Sequence, residues 1–140
     1  MPNSQPIFTR IADVQWSTSN VITSNNTNDL TSGTSYQVFS ADTTNGGYVQ
    51  KIRFKPSVVS ANTATVARIW INNGGSTTGS SNNILFDEVS LASTTLSSTS
   101  SLPVYELPLN FALPPSYRLF VTLGATVIGG YQVTVIGGKY

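Results

Sequence analysis

The stretch Tyr48-Val49-Gln50-Lys51-Ile52-Arg53-Phe54-Lys55 decides the fold class. From Lys51 onward apolar and charged side chains alternate, which places Tyr48, Ile52 and Phe54 on one face and the three cations on the other. An alternation with a period of two residues is typical of a β-strand that has one face in the core and one in water. We therefore predict a half-buried strand here.

Other segments of the chain carry the same kind of signal. Residues 64–71 are β-branched and aromatic, and the following Asn72-Asn73-Gly74-Gly75 is typical of a turn. No segment shows the apolar spacing of an amphipathic helix. The sequence predicts an all-β fold, an antiparallel, jelly-roll-like β-sandwich of about seven or eight strands. Further strands are expected at 36–40, 84–91, 104–111, 117–123 and 131–136, with a weaker candidate at 21–23.

Two features suggest how the strands connect. Residues 72–83 and 92–102 are longer than a tight hairpin needs, which suits crossovers between two sheets. Pro108 interrupts a strand-like run and has no amide hydrogen for a central ladder. We expect its strand to lie at a sheet edge or to carry a bulge.

The chain of 140 residues fits one domain. We place the β-sandwich domain at residues 21–140 and interpret residues 1–20 as either an N-terminal arm or a first strand. The first residues lack the basic and apolar regions of a secretory signal, and no apolar run approaches membrane-spanning length. We expect a protein that folds where it is made and has no membrane partner.

The composition argues against catalysis. The chain has no histidine and no cysteine, which removes the most common proton-transfer and thiol chemistries. Of its six carboxylates only Asp87 and Glu88 are adjacent, and neighbours on a strand point to opposite faces. We predict no enzyme, no catalytic residues, no cofactor and no metal. The net charge of +1 also gives no field for nucleic acid.

Candidate binding residues fall into two groups. Lys51, Arg53 and Lys55, joined by Arg68 if the two strands pair, form either a solvated sheet face or a docking surface for an acidic partner. Three aromatic residues have two interpretations. They are either buried in the core or at a subunit interface, or they are exposed and stack on sugars. These aromatic candidates for an oligomer or glycan contact are Trp16, Trp70 and Tyr48.

The order of these strand patterns resembles that of small virion proteins of tailed bacteriophages. The segments that carry the resemblance are 47–54, 67–74, 85–88, 105–111 and 121–124. The resemblance implies an auxiliary or decoration protein, made in the bacterial cytoplasm, that binds the outside of an icosahedral capsid. Its partner would be the major capsid protein, and it would act as a homo-oligomer, with a trimer favoured, that stabilises contacts between capsomers.

A recognition module is the competing interpretation. A β-sandwich from a phage fibre or tail could bind a surface glycan or receptor through its aromatic residues and its Asn- and Thr-rich loops. The sequence leaves this alternative open.

Overall fold

Eight strands make up the secondary structure of the computed structural model, which describes residues 9–140. No helix occurs in this part of the chain, so none is available there to cross a membrane. The strands are β1 (Ile11–Trp16), β2 (Tyr36–Ser40), β3 (Gly47–Pro56), β4 (Thr65–Asn72), β5 (Asn83–Leu91), β6 (Tyr105–Leu113), β7 (Arg118–Leu123) and β8 (Tyr131–Lys139).

The strands form two four-stranded sheets. Sheet A has the order β1-β8-β3-β6 and sheet B the order β2-β7-β4-β5, and every neighbouring pair is antiparallel. Successive strands alternate between the two sheets in the manner of a jelly roll. The exception is the hairpin of β4 and β5, which both lie in sheet B, just as β1 and β8 pair with each other in sheet A. The predicted antiparallel β-sandwich is confirmed.

The core lies between the two sheets. Strands β2 to β8 contribute inward-facing side chains, and Phe39, Phe54 and Tyr131 are among the largest that are fully buried. A smaller cluster lies on the outer face of sheet B, where Leu30, from the segment between β1 and β2, joins Trp70 and Phe120. This second cluster explains why β7 is buried almost throughout.

A bulge in β3 changes the predicted face of Tyr48. Against β8 the register shifts between Val49 and Lys51, which leaves Gln50 as an extra residue of β3. Val49 and Ile52 are both fully buried, so Tyr48 falls on the outer face, where its hydroxyl donates to Asn110 Oδ1 at 3.2 Å. The prediction that Tyr48 shares a face with Ile52 is wrong, because a bulge resets the two-residue alternation.

The two long connections behave differently. β4 and β5 are neighbours in sheet B, so the loop between Asn72 and Asn83 closes a hairpin and the predicted crossover there is wrong. The side-chain amide of Asn72 holds this loop by donating to the carbonyl oxygens of Gly75 and Ser76. The connection from β5 to β6 does cross from sheet B to sheet A, as expected.

Pro108 occupies the position predicted for it. β6 is an edge strand of sheet A, and it carries a bulge next to Pro108, because Leu109 and Asn110 together oppose Gln50 of β3. Both expected reasons for tolerating a proline are therefore present.

The N-terminal region contributes one strand to the sandwich. Residues 11–16 form β1 and pair with β8, whereas residues 1–8 lie outside the described residues. The weaker strand candidate at 21–23 contains only an isolated bridge between Ile22 and Tyr131.

Candidate functional site

The three clustered cations lie on the outer face of sheet A. Lys51 Nζ is 3.2 Å from Glu106 Oε2, and Arg53 Nε is 3.8 Å from Glu106 Oε1. Lys55 Nζ instead donates to the carbonyl oxygen of Leu102 at 2.8 Å. One carboxylate on β6 is therefore shared by two cations, and the face keeps an excess of positive charge.

The register of sheet A brings Trp16 towards these cations. Trp16 of β1 pairs with Thr134 of β8, and Thr134 pairs with Arg53 of β3, so the three residues form one row across the sheet. In the next row, Lys55 pairs with Gln132. Trp16 is 62% exposed. None of these strand neighbours could be read from the chain order alone.

These residues line an open cleft of about 560 Å³, which we call the Trp16 cleft. It offers an apolar aromatic surface, two cationic side chains, amides and a hydroxyl, and none of its lining residues within 9–140 is a carboxylate. Such a surface can stack on a flat apolar face while donating hydrogen bonds to oxygen atoms. The lining residues are Trp16, Asn20, Arg53, Lys55, Gln132, Val133 and Thr134.

Arg68 is not part of this face. β3 and β4 belong to different sheets, so the pairing that would have joined Arg68 to the other cations does not occur. Arg68 Nε lies 3.3 Å from Glu88 Oε1, and its Nη1 is buried without a hydrogen-bond partner among residues 9–140. The sandwich topology thus separates Arg68 from the cluster of Lys51, Arg53 and Lys55.

The two other aromatic candidates are also separated from the Trp16 cleft. Trp70 is only 7% exposed, packs with Leu30 and Phe120, and donates through Nε1 to Thr122 Oγ1 at 2.9 Å. Its ring is therefore covered by its own chain and does not offer a stacking surface. Tyr48 lies on the same outer face as Lys51 but does not line the cleft.

The carboxylates do not form a paired or clustered site within residues 9–140. Asp87 pairs with Ile69 and Glu88 with Arg68, which places the two acids on opposite faces of β5. The backbone N–H groups of Asn45 and Thr44 donate to Asp42 and hold its pKa below the ordinary value of 3.8. Within residues 9–140 no cluster of three or more potential metal-binding side chains occurs.

A second surface was missed by the sequence analysis. β5 and β6 are the edge strands of the two sheets on the same side of the sandwich, and Ile84, Leu85 and Phe86 of β5 are 65%, 41% and 45% exposed. The centroid of the Phe86 ring lies 4.8 Å from the centroid of the Phe111 ring on β6. We call these four residues the open edge.

A sequence signal for the open edge does exist. Ile84-Leu85-Phe86 is an apolar run without alternation, although the rest of β5 is largely polar. The register shift between β4 and β5 adds Phe86 as an extra residue between Leu85 and Asp87. An unalternating apolar run in an exposed strand indicates a contact surface.

The fold and these two surfaces define a jelly-roll β-sandwich with an exposed apolar edge and a basic aromatic cleft. No protein-family model and no curated protein matches the chain. Among solved structures it matches "Structure of infectious bursal disease virus Gt strain" with a TM-score of 0.30 and 11% identity. The match covers 97% of this chain and 35% of the other, so this chain spans about a third of that protein. A TM-score this low assigns neither family nor function.

Proposed function

We propose that this chain is a non-enzymatic structural protein of a virion. In the specific form of the proposal, it is a bacteriophage decoration protein that binds the outer surface of the capsid as an oligomer, a trimer by preference. It would contact the major capsid protein and stabilise the contacts between capsomers. The observation that carries the proposal is the open edge.

The open edge is an unusual surface for a protein that acts alone. Ile84 is 65% exposed on a strand that has a neighbour on one side only. Edge strands expose unpaired backbone groups, and soluble monomers ordinarily protect them with charges, prolines or a covering segment. Burial of three adjacent apolar side chains by another subunit would remove them from water and stabilise an assembly.

The residues next to the apolar run limit how a partner can approach. Asp87 and Glu88 follow Phe86 directly, and Glu88 is bridged to Arg68 at the same edge. Negative charge beside an apolar strand disfavours indiscriminate pairing and favours a partner with matching cations. The edge therefore suits specific contacts with a subunit of fixed orientation.

The fold and the sequence pattern support the same proposal. Jelly rolls occur in viral capsid domains as well as in lectins, so the architecture permits the role without assigning it. The resemblance of the strand patterns to small phage virion proteins favours the viral role. Many modest interfaces that act together would give a decorated shell its resistance to internal pressure.

Binding to undecorated capsids tests the proposal. Purified protein is added to phage heads that lack their decoration protein, and bound copies are counted after sedimentation. We expect saturable binding, with hundreds of copies per particle for decoration as opposed to about a dozen for a connector or tail position. Absence of saturable binding across a range of salt concentrations would overturn the decoration role.

A matched pair of variants ties the result to the open edge. Ile84→Ser removes an apolar side chain from β5, whereas Ile128→Ser removes the same side chain from a loop position that is 80% exposed. We expect Ile84→Ser to weaken head binding or self-association, measured by light scattering, and Ile128→Ser to leave both unchanged. Equal behaviour of the two variants would contradict the role of this edge.

A further inference from the structure

We infer that the Trp16 cleft binds a saccharide that carries a carboxylate group. This inference goes beyond the proposed structural role. It also does not depend on that role, because the cleft lies on the outer face of sheet A and the open edge lies between β5 and β6. A virion protein could bind its shell at one surface and a glycan at the other.

The first support is a fixed aromatic platform. Trp16 is the last residue of β1, which pairs with β8, and the chain directly after it is also held in place. Ser17 N donates to the carbonyl oxygen of Val133, and Thr18 N donates to that of Gln37. The Trp16 ring nevertheless remains 62% exposed. A large ring held on a rigid backbone presents a flat apolar surface for the C–H face of a sugar at little entropic cost.

The second support is the position of the cations. Arg53 lies two strands away from Trp16 in the same row, about 10 Å at the usual strand spacing, and Lys55 lies in the adjacent row. A pyranose ring stacked on Trp16 could therefore present a carboxylate to the guanidinium or ammonium group. Arg is well suited to this contact because its planar donors can bind both oxygens of a carboxylate.

The third support is the balance of polar groups around the platform. Asn20, Gln132 and Thr134 provide amide and hydroxyl groups that can both donate and accept hydrogen bonds. Hydroxyl-rich ligands need both kinds of partner. Lys55 is already anchored by the Leu102 carbonyl oxygen, so its position is set before a ligand arrives.

The same features argue against nucleic acid and acidic peptide as ligands. Single-stranded nucleic acid is usually bound by several aromatic side chains along a continuous basic groove. In the described part of the chain the cleft contains one aromatic ring, and Glu106 lies beside Arg53 at its border. An acidic peptide would use the cations but would leave the exposed indole without a defined role.

Binding is tested with the full chain on an oligosaccharide array that includes sialylated and uronate-containing glycans and their neutral counterparts. Hexaglutamate and a decathymidine oligonucleotide serve as the competing ligands. We expect the strongest signals from carboxylated saccharides, with weaker binding as salt increases. Equal binding of the neutral counterparts, stronger binding of hexaglutamate or decathymidine, or no saccharide binding would each overturn the inference.

The chain provides its own reporter for the location of the bound saccharide. It contains two tryptophans, and Trp16 is exposed whereas Trp70 is buried under its own chain. On titration with the best saccharide from the array, we expect the indole N–H resonance of Trp16 to shift in the NMR spectrum and that of Trp70 to stay in place. A shift confined to Trp70 would place the ligand elsewhere and overturn the assignment.

Substitutions with a matched control complete the test. Trp16→Ala should weaken binding about tenfold and Arg53→Gln or Lys55→Gln several-fold, because each removes one part of the site. Tyr48→Ala changes an aromatic ring on the same outer face without touching the cleft lining. This control should change the affinity less than twofold; a loss equal to that of the cleft variants would overturn the inference.

Discussion

The two sides of the sandwich are closed in different ways. On the β1 and β2 side, which we call the closed edge, Gln15 of β1 bridges the sheets. Its Nε2 donates to the carbonyl oxygen of Ser40 and its Oε1 accepts from Ser40 N, both at 2.9 Å. On the β5 and β6 side the tilted contact of Phe86 with Phe111 spans the gap, and the backbone N–H of Ala92, directly after β5, donates to the Tyr105 hydroxyl of β6 at 3.2 Å.

The difference lies in which groups each edge strand leaves exposed. At the closed edge the side chain of Gln15 satisfies backbone groups of β2 as a neighbouring strand would. Ile11, Val14 and Trp16 of β1 are also exposed, and Val14 and Trp16 lie on the outer face of sheet A. At the open edge the exposed groups are apolar, and only another apolar surface can remove them from water.

Among changes at the two edges, the largest effect on stability is expected from breaking the closed edge. Gln15→Ala removes both hydrogen bonds to Ser40. The partly buried backbone N–H and carbonyl groups of Ser40 then lose these partners. We expect the free energy of unfolding to fall by about 2 kcal/mol, measured by urea denaturation. Gln50→Ala, at the exposed bulge of β3, is the control and should change it by less than about 0.5 kcal/mol. Equal losses would show that Gln15 is not a bridge.

A smaller effect is expected from separating the two rings at the open edge. In a double-mutant cycle with Phe86→Ala and Phe111→Ala, the coupling energy in the monomer should be about 1 kcal/mol. It is measured from urea denaturation at a protein concentration where the chain is monomeric. A coupling energy near zero would mean that the contact between the two rings does not stabilise this edge.

The turn after the closed edge should make the stability of the protein depend on pH. Asp42 follows β2, and its folded-state pKa lies below 3.8 because of the Asn45 and Thr44 N–H groups. Its contribution to stability is present above the unfolded pKa and is lost as the pH falls through the folded pKa. We expect the urea midpoint to be nearly constant from about pH 5.5 to 8, where no histidine titrates, and to fall below about pH 4.

Asp42→Asn is the control for this dependence. The variant keeps a side-chain oxygen that can accept from the same N–H groups but has no carboxylate to protonate. The fall in midpoint below about pH 4 should therefore be shallower in the variant. An unchanged pH profile would show that other carboxylates dominate the acid sensitivity.

The smallest effect on stability is expected at Trp16. Its side chain lies on the closed-edge strand β1 but is 62% exposed, so Trp16→Ala should change the free energy of unfolding by less than about 0.5 kcal/mol. Trp70→Ala, in contrast, opens the cluster with Leu30 and Phe120 and should cost about 3 kcal/mol. Thermal denaturation followed by circular dichroism compares the two, and similar losses would contradict the assigned exposures.

Much of the strand arrangement could be predicted from local patterns. The expected strand at 36–40 coincides with β2, and the one at 117–123 differs from β7 by one residue. Pro108 was placed correctly because a proline restricts its strand whatever the neighbour is. Tyr48 was misplaced because the extra residue Gln50 arises from pairing with other strands and leaves no local signal.

The candidate site was predictable only in its parts. Lys51, Arg53 and Lys55 were recognised as one outer face, and Trp16 was recognised separately as an exposed or buried aromatic. Their proximity depends on β8, which lies between β1 and β3 and comes from the far end of the chain. The open edge was missed because exposure of Ile84-Leu85-Phe86 depends on which strands remain without a second neighbour.

The sequence by itself determined that this protein is built of antiparallel strands with alternating faces, because a two-residue period and turn residues are local properties of the chain. The tertiary structure alone decided that Trp16 is exposed beside Arg53, that Trp70 is covered, and that Gln15 joins the sheets on one side of the sandwich while two aromatic rings meet on the other. These outcomes depend on strand order and register, which arise from pairing between residues far apart in the chain.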